Sequence, residues 1–399
     1  MTPDTAVTCP ACAAPVGAEE QFCEACGTSL GPVSAPSVSE VPAKATDDPA
    51  PEAGPGAAAK GLGGQCHQCG GVIAADGYCT ECGAKARTLR DHFTEQPAAW
   101  VAAVCDRGVR HSRNEDAVAL DARAEPGSHA VLVVCDGVSN SIDSDVASLA
   151  AARAARVVLA SSSPSGIGTA AGRVAATAHA LDAAADAANE AVIRNTVEGP
   201  GNPASCTFVA AVVDATLLVV GWVGDSRAYW LPDSGEPQML TTDDSSAAEQ
   251  IASGVPRAEA ESGPQAHAIT RWLGIDAPDH TPHNYSLDLV TPGWVLVCSD
   301  GLWNYCSEAR DLWALVQELV DGKGDGQTAD PLPLAAALVD WANAQGGADN
   351  ITAALARIDP PGTGASPPSP AQAAESGQPA VHQGDGDMRE GTHDGNVLS

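Results

Sequence analysis

The chain is poor in basic residues: 20 Lys and Arg stand against 51 Asp and Glu, which gives a formal net charge of −31. A protein of this charge repels phosphate backbones at long range, so we expect no nucleic-acid partner. A phosphorylated substrate would also be repelled, unless bound cations reverse the potential locally. The composition therefore argues against nucleic-acid binding, and any phosphorylated substrate would need bound cations at its site.

Long apolar runs and targeting signals are also missing. No apolar stretch approaches the roughly 20 residues that a membrane-spanning helix needs. Residues 1–4 have neither the basic region nor the apolar core of a secretory signal. We therefore expect a cytoplasmic protein with no membrane partner, in which thiols stay reduced. At 399 residues and 44% hydrophobic composition, the chain is long enough for one large domain plus accessories.

Eight of the 13 cysteines form two copies of one pattern, in which two Cys-x2-Cys pairs follow each other. The first copy is Cys9, Cys12, Cys23 and Cys26, and the second is Cys66, Cys69, Cys79 and Cys82. Four thiolates at this spacing suit a tetrahedral structural Zn²⁺ ion in each copy. Such short segments cannot build a core of their own, so the metal would provide their folding energy. Disulfides are the alternative, and they conflict with the expected compartment.

The composition also predicts the domain boundaries. We expect a first zinc ribbon at residues 1–30, a flexible linker rich in Pro, Ala, Ser and Gly at 31–64, and a second ribbon at 65–86. The main domain is expected at 97–359, followed by a disordered tail at 360–399. The paired ribbons resemble the double zinc ribbon, which implies an interaction or regulatory module with a protein partner.

The main domain carries aspartates at the ends of apolar runs. Runs 131–135, 217–223 and 294–299 lead into Asp136-Gly137, Gly224-Asp225 and Asp300-Gly301, and Asp349-Asn350 leads into the run 351–355. Short β-branched runs bounded by Gly and Asp predict buried strands. Strands of one core would bring several carboxylates together, and clustered carboxylates repel unless a cation holds them. A single Asp-Gly pair is more typical of a turn, but the joint pattern favours a divalent-metal site and an enzyme.

Strands and helices alternate in blocks along this domain. Alanine-rich segments 145–160 and 169–195 are expected to be helices between the early and middle strands, and 309–320 and 334–344 are expected to be later helices. Strands on both sides of a helical pair suggest two sheets packed face to face, with helices covering the outside.

At this point the residues resemble a known family. The motifs are Asn114-Glu115-Asp116, Asp136-Gly137, Gly224-Asp225-Ser226-Arg227, Ser299-Asp300-Gly301 and Asp349-Asn350-Ile351-Thr352. In this order over residues 100–358 they resemble the metal-dependent protein phosphatases of type 2C, the PPM family, in its bacterial form. The resemblance implies an α+β fold, a four-layer α-β-β-α sandwich, with a mobile flap at residues 243–263. It implies hydrolysis of phosphoserine and phosphothreonine on proteins by metal-activated water.

The resemblance also implies roles for single residues. Asp136 would bridge two metals, the Gly137 carbonyl would bind one of them, and Asp300 and Asp349 would bind the other. Asp225, with Asp300, would hold a third. Two or three Mg²⁺ or Mn²⁺ ions fit these oxygen ligands.

Around these ligands, Glu115 and Asp116 would orient water, and a cation should bind the phosphate. Where the family has its phosphate-binding arginine, this chain has His111. We expect the neighbouring Arg110 to take over, with Arg113 as the alternative and His111 as a further candidate donor. No general acid can be assigned.

Three functions stay open. The first is a phosphatase that acts on the protein substrates of a serine/threonine kinase. The second is a phosphatase dedicated to one regulatory partner, such as an anti-sigma antagonist. The third is a non-catalytic sensor or scaffold that binds partners through its ribbons. Retention of every proposed metal carboxylate argues against the third.

Overall fold

The chain divides into two compact units, Met1–Ala58 and Ala59–Ser399. The computed structural model describes residues 7–8, 15–16, 65–66, 69–161, 168–197, 199, 201–263, 265–266, 268–321 and 330–360. In the first unit, the described residues Val7–Thr8 (β1) and Pro15–Val16 (β2) form an antiparallel pair. The predicted ligands Cys9, Cys12, Cys23 and Cys26, the predicted linker and the tail beyond Pro360 lie outside the described residues.

The second unit contains the remaining described elements. Its strands are His92–Ala98 (β3), Val101–Asp106 (β4), Ala117–Ala122 (β5), His129–Cys135 (β6), Ser205–Cys206 (β7), Phe208–Asp214 (β8), Leu217–Val223 (β9), Arg227–Pro232 (β10), Gln238–Met239 (β11), Leu273–Gly274 (β12), His283–Asp288 (β13), Gly293–Cys298 (β14) and Ile351–Ile358 (β15). Its helices are Ser144–Ser161 (α1), Ala170–Arg194 (α2), Ser246–Ala252 (α3), Arg257–Glu261 (α4), Asp300–Trp303 (α5), Ala309–Asp321 (α6) and Pro331–Gln345 (α7).

Two antiparallel sheets form the centre of this unit. One has six strands in the order β11-β10-β14-β15-β4-β3, and the other has five in the order β13-β9-β8-β6-β5. Strands such as β6, β9 and β14 are buried along their whole length, which is why they are apolar without interruption. Alternate residues of each strand then face opposite layers.

Three apolar clusters account for the layers. The inner faces of the two sheets meet through residues such as Leu132, Val220 and Val297. The outer face of the five-stranded sheet packs on α1 and α2, whose alanines allow close approach. The outer face of the six-stranded sheet packs on α6 and α7 through residues such as Leu296 and Leu355. The expected four-layer α-β-β-α sandwich is therefore confirmed.

Two strands without an apolar run, β3 and β13, were not predicted from the sequence. The predicted start of the main domain at residue 97 falls inside β3, which pairs with β4 from His92 onward. The six-stranded sheet thus begins five residues earlier than expected, because β3 is half-exposed and lacks an apolar run. Strand β13, which is mostly exposed, was missed for the same reason. Among the described residues, no helix is long and apolar enough to cross a membrane.

Candidate active site

Four aspartates from four separate connections surround one cavity. Asp136 follows β6, Asp225 lies between β9 and β10, Asp300 begins α5, and Asp349 precedes β15. The cavity has a volume of about 160 Å³, and its other lining residues are Gly137, Val138, Ser139, Thr207 and Ile269. The sandwich therefore brings together all the residues that the sequence analysis proposed as ligands of the divalent ions.

The carboxylates of this cavity repel one another. Burial, and then the charges of the neighbouring aspartates, raise the pKa of Asp136 and of Asp300 well above the usual range. Burial and the nearby Asp243 raise the pKa of Asp225 to about 7, against the lowering effect of Arg227. Because each charge opposes the next, the group is ionised together only when positive charge is placed among its members.

Two of the carboxylates keep a buried oxygen free. Oδ1 of Asp300 and Oδ1 of Asp116 have no hydrogen-bond partner among the described residues. A buried polar atom without a partner is costly, and a bound ion or water is one way to satisfy it. The aspartate oxygens are spread around the cavity: no three of them lie within 4.8 Å of one another. In the described part of the chain, only the four cysteines Cys66, Cys69, Cys79 and Cys82 form such a tight group. A cation in the cavity therefore suits both the charge of the aspartates and the free oxygen of Asp300.

Backbone contacts fix the position of Asp136. Its N–H donates to Thr207 Oγ1 at 3.0 Å, and its carbonyl accepts the Thr207 N–H at 2.8 Å. Thr207 Oγ1 in turn lies 2.7 Å from Ser226 Oγ, beside Asp225. These hydroxyl contacts connect two of the four carboxylate-bearing segments.

Close backbone approach fixes the segments of Asp300 and Asp349. A Cβ on Gly301 would collide with the carbonyl oxygen of Asn350, and one on Gly108 would collide with that of Asp349. Gly108 also has a φ of 75°, which favours glycine over other residues. The Gly of Asp300-Gly301 is therefore needed for packing against the next carboxylate segment, and it is more than a turn residue.

Glu115 and Asp116 lie behind the cavity and do not line it. Glu115 Oε1 accepts from Arg113 Nη2 at 2.8 Å and from Ser144 Oγ at 3.0 Å. Despite burial, hydrogen bonds from His111 and Arg113 hold the pKa of Glu115 below its usual value. Asp116 is fully buried, and this burial raises its pKa to about 6.

Three residues that had no assigned role hold these two acids. Asp116 Oδ2 accepts from Ser299 Oγ at 2.6 Å and from Thr352 Oγ1 at 2.7 Å. Asn350 Oδ1 accepts the backbone N–H of Glu115 at 2.7 Å. These residues stand inside the motifs Ser299-Asp300 and Asp349-Asn350-Ile351-Thr352. Because they stand next to the proposed ligands Asp300 and Asp349 in sequence, a supporting role could have been predicted for them.

The three candidate phosphate-binding residues point in different directions. His111 lies between two acids, with Nε2 3.3 Å from Asp349 Oδ1 and Nδ1 3.5 Å from Glu115 Oε2. The bond to Glu115 raises the pKa of His111. Arg113 is held by Glu115, and the exposed Arg110 lies beside Gly346 and does not line the cavity. None of the three lines the cavity, but His111 is the one of them that pairs with an aspartate lining it. The assignment of Arg110 to phosphate therefore stays a prediction.

Arg227 joins the flap to the cavity. It is fully buried and pairs with Asp243, with Nε–Oδ1 and Nη2–Oδ2 distances of 2.9 and 2.7 Å. Its Nη2 also donates to Glu261 of α4 at 3.1 Å. Its guanidinium stacks on Trp303 at 3.6 Å, and the Trp303 indole N–H donates to the carbonyl of Asp225.

The four cysteines of the second ribbon converge. The Sγ atoms of Cys66, Cys69, Cys79 and Cys82 all lie within 4.8 Å of one another, and two pairs are 3.5 and 3.6 Å apart. Sulfurs on a tetrahedral Zn²⁺ with 2.3 Å bonds would be roughly 3.8 Å apart. The backbone N–H of Cys82 lowers the pKa of Cys79 to about 7, whereas the pKa values of Cys69 and Cys82 are raised, with the neighbouring thiols outweighing backbone hydrogen bonds. A cation among the sulfurs would favour all four thiolates. This cluster could hold a metal.

Comparisons with known proteins agree with this geometry. The sequence pattern of the family described as protein phosphatase 2C matches residues 107–341, more than half of the chain. A serine/threonine phosphatase from Listeria innocua is 31% identical over 156 residues, which are 39% of this chain and 57% of the relative. A putative 2C-type phosphatase from Streptococcus pyogenes is 30% identical over 37% of this chain and 56% of its own length. The chain thus spans little more than half of the curated relatives that it matches.

Solved structures give the same fold. The serine/threonine phosphatase of S. agalactiae superposes with a TM-score of 0.51 at 23% identity, over 67% of this chain and all of that one. The serine/threonine phosphatase PstP/Ppp of Mycobacterium tuberculosis superposes with a TM-score of 0.50 at 26% identity, over 65% and 98%. The sandwich, the carboxylate-lined cavity and the matching sequence pattern together show that this chain belongs to the protein phosphatase 2C family.

Proposed function

We propose that this chain hydrolyses phosphoserine and phosphothreonine esters on proteins, with Mg²⁺ or Mn²⁺ held in the aspartate-lined cavity. The observation that carries the proposal is the convergence of Asp136, Asp225, Asp300 and Asp349 on one cavity. The serine/threonine phosphatases that the chain resembles support the choice of reaction.

The ligands would be the four aspartates and the carbonyl of Gly137. All of them offer oxygen, which Mg²⁺ and Mn²⁺ prefer. The raised carboxylate pKa values and the free Oδ1 of Asp300 support a cation at this place. When bound, such ions supply positive charge against the phosphate and make water a better nucleophile.

The chain's own residues would keep this arrangement in place. Thr207 holds the backbone of Asp136, and Asn350 holds that of Glu115. His111 presents ring nitrogens to Asp349 and Glu115 at the edge of the cavity. Because these groups are already fixed by hydrogen bonds, little reorganisation is needed when substrate binds.

Activity on an aryl phosphate and on a phosphoserine peptide tests the proposal. We expect turnover with Mn²⁺ or Mg²⁺ that is lost in chelator, and a loss of at least about a hundredfold in Asp136→Asn and Asp300→Asn, since each removes one charged ligand. Asp288→Asn makes the same change at an exposed position at the far end of β13 and should behave like the wild type. Undiminished activity in folded Asp136→Asn would sink the metal assignment. A complete lack of activity in the wild type would favour a non-catalytic scaffold.

We also propose that the two ribbons each hold one structural Zn²⁺ and bind a protein partner. The convergence of the four sulfurs from Cys66 to Cys82 supports the second site. Thiolate ligands require reduced cysteines, which supports a cytoplasmic location. The substrates would be proteins phosphorylated by a serine/threonine kinase, or a single dedicated regulatory partner.

A further inference from the structure

A second cleft continues from the aspartate-lined cavity. It has a volume of about 230 Å³ and is lined by Val138, Asn140, Ser141, Asn202, Pro203, Ser205, Ile269, Trp272 and Asp276. Val138 and Ile269 line both spaces, so the cleft, which we call the side cleft, opens directly beside the aspartates. A polypeptide whose phosphoresidue reached the cavity would place its neighbouring residues there.

The walls of the side cleft are held together by hydrogen bonds. Ser141 Oγ and Ser205 Oγ are 2.8 Å apart, and both residues are buried. The N–H of Val138 donates to the carbonyl of Ser205 at 3.0 Å. The shape of the cleft therefore exists before a substrate enters, which lowers the entropic cost of binding.

Asp276 is the only charged residue among those described as lining the side cleft. Its Oδ1 accepts from the Trp272 indole N–H at 3.0 Å, which orients the carboxylate. Within the described part of the chain it forms no salt bridge, because the nearby Arg271 is engaged by Asp244 and Asp279. A carboxylate without a cationic partner, at the edge of an indole ring, suits a guanidinium or ammonium group.

Beyond the side cleft lies an aliphatic groove. Its volume is about 400 Å³, and it shares Asn202 and Pro203 with the side cleft. Its lining includes four aliphatic side chains that are unusually exposed for their type: Ile142 (44%), Ile193 (37%), Val197 (60%) and Ile275 (62%). Exposed apolar side chains gathered in one groove are typical of a binding surface.

We propose that the side cleft binds a basic side chain of the substrate close to its phosphoresidue, and that the aliphatic groove takes the substrate chain beyond it. The occupant is the phosphorylated protein segment itself, because the side cleft adjoins the candidate active site and the aliphatic groove adjoins the side cleft. The charge of Asp276 selects Arg or Lys at this point, and the net charge of −31 attracts basic segments at long range. This inference rests on the proposed phosphatase activity and specifies its substrate class.

A set of phosphoserine peptides tests the side cleft. A single Arg is moved from four residues before to four residues after the phosphoserine on an otherwise neutral background, and kcat/KM is measured for each peptide. We expect a gain of about threefold to tenfold, as for a partly exposed ion pair, at one or two adjacent positions. The gain should shrink as salt is added.

Variants of Asp276 test whether this residue causes the preference for Arg. Asp276→Asn should remove the gain, and Asp276→Lys should transfer it to a peptide with Glu at the same position. Asp288→Asn, with the same loss of charge away from the cleft, should keep the Arg preference. A longer peptide with an aliphatic end should have a higher kcat/KM than a short one, because it reaches the aliphatic groove. Ile275→Asp should remove this difference. Thermal melting of each variant checks that it is folded.

Two negative results have different meanings. If the wild type hydrolyses neither aryl phosphate nor any phosphopeptide, the proposed function itself is wrong. If the wild type is active but indifferent to the position of Arg, or if Asp276→Asn keeps the preference, the phosphatase assignment stands and the side-cleft proposal is overturned.

Discussion

At the scale of residues, the candidate site consists of buried carboxylates. Each one costs stability by itself, and together they offer oxygens to a cation. Asp136 and Asp300 each have a pKa raised by burial and by their acidic neighbours. Asp116 and Asp300 each keep a buried oxygen without a described partner. Such an arrangement costs stability in the folded protein, and proteins tolerate that cost mainly where a ligand removes it.

The raised pKa values predict how stability changes with pH when divalent ions are removed. Asp116 and Asp225 have pKa values of about 6 and about 7, against 3.8 in an unfolded chain. Between about pH 4 and about pH 7 the folded state therefore binds more protons than the unfolded state, so stability falls as the pH rises through this window. In chelator, we expect a lower melting temperature at pH 8 than at pH 5. Mn²⁺ should raise the melting temperature more at pH 8, where the carboxylates are ionised.

Asp225→Asn should flatten this pH dependence, because it removes one of the titrating groups. Calorimetry at several pH values, with and without Mn²⁺, measures both effects. Stability that instead rises from pH 5 to pH 8 in chelator would contradict the raised pKa values of Asp116 and Asp225 on which this prediction rests.

The phosphate-binding residue can be identified from three alanine variants. His111→Ala should lower kcat/KM on a phosphopeptide by about tenfold or more, because the ring pairs with Asp349, which lines the cavity, and with Glu115 behind it. Arg110→Ala should stay near the wild type, since Arg110 is exposed and, within the described part of the chain, pairs with none of the cavity aspartates. If Arg110→Ala loses activity and His111→Ala does not, the expectation from sequence is correct and our structural interpretation is wrong.

At the scale of elements, the ends of strands and the connections after them build the site. Each of β6, β9 and β14 ends shortly before a cavity aspartate, and β15 begins just after one. The segment 243–263, predicted to be the flap, contains α3 and α4 and is attached through Arg227 on β10. The rigid sheets thus position the four cavity aspartates, and one buried ion pair anchors the segment 243–263 to β10.

Loss of Arg227 should destabilise the domain strongly. Arg227→Leu leaves Asp243 buried without its partner, and breaking one side of a buried pair costs about 3–5 kcal/mol. Urea unfolding measures the loss. Adding Asp243→Asn should recover part of it, because the unpaired charge disappears. Arg310→Leu breaks an ion pair of similar length on the exposed surface and should leave stability near that of the wild type.

If Arg227→Leu unfolds at the same urea concentration as the wild type, the network does not hold the flap. If the double variant is no more stable than Arg227→Leu, the loss comes from the stacking on Trp303 instead of from the unpaired acid.

At the scale of the whole molecule, the ribbons and the catalytic domain are expected to contribute separately. The cysteine cluster from Cys66 to Cys82 could hold its own metal, whereas the aspartate-lined cavity is built by elements from β3 onward. The net charge of −31 makes a cation at the cavity a condition for binding any phosphate.

A chain that begins at Arg87 should hydrolyse a small aryl phosphate about as well as the full-length protein. A start at Arg87 keeps two contacts of the domain: Arg87 pairs with Asp106 at 3.4 Å, and the Arg90 carbonyl accepts from Asn114 at 3.0 Å. Metal analysis should find zinc in the full-length protein and none in the shortened one. A full-length protein without zinc would refute the ribbon assignment, and an inactive but folded shortened chain would show that the ribbons contribute to the chemistry.

The sequence by itself determined the local features. Uninterrupted apolar runs predicted β6, β9, β14 and β15, because strands buried on both faces must be apolar throughout. Alanine-rich periodicity predicted α1 and α2 nearly to their ends. The order of the acidic motifs was enough to propose four metal ligands, since strand ends in one sandwich tend to meet.

Only the tertiary structure reveals the features that depend on contacts between segments far apart in sequence: two strands, the path of the His111 loop and the side cleft. Strands β3 and β13 were missed because their stability comes from pairing with a neighbour, and their own side chains are largely exposed. The choice between Arg110 and His111 could not be made from neighbouring positions in a loop, because the loop's path is set by Gly347, whose carbonyl accepts from the N–H groups of Val109 and Arg110. The side cleft is formed by residues from 138 to 276, so only the folded chain shows that Asp276 lies beside the aspartate-lined cavity.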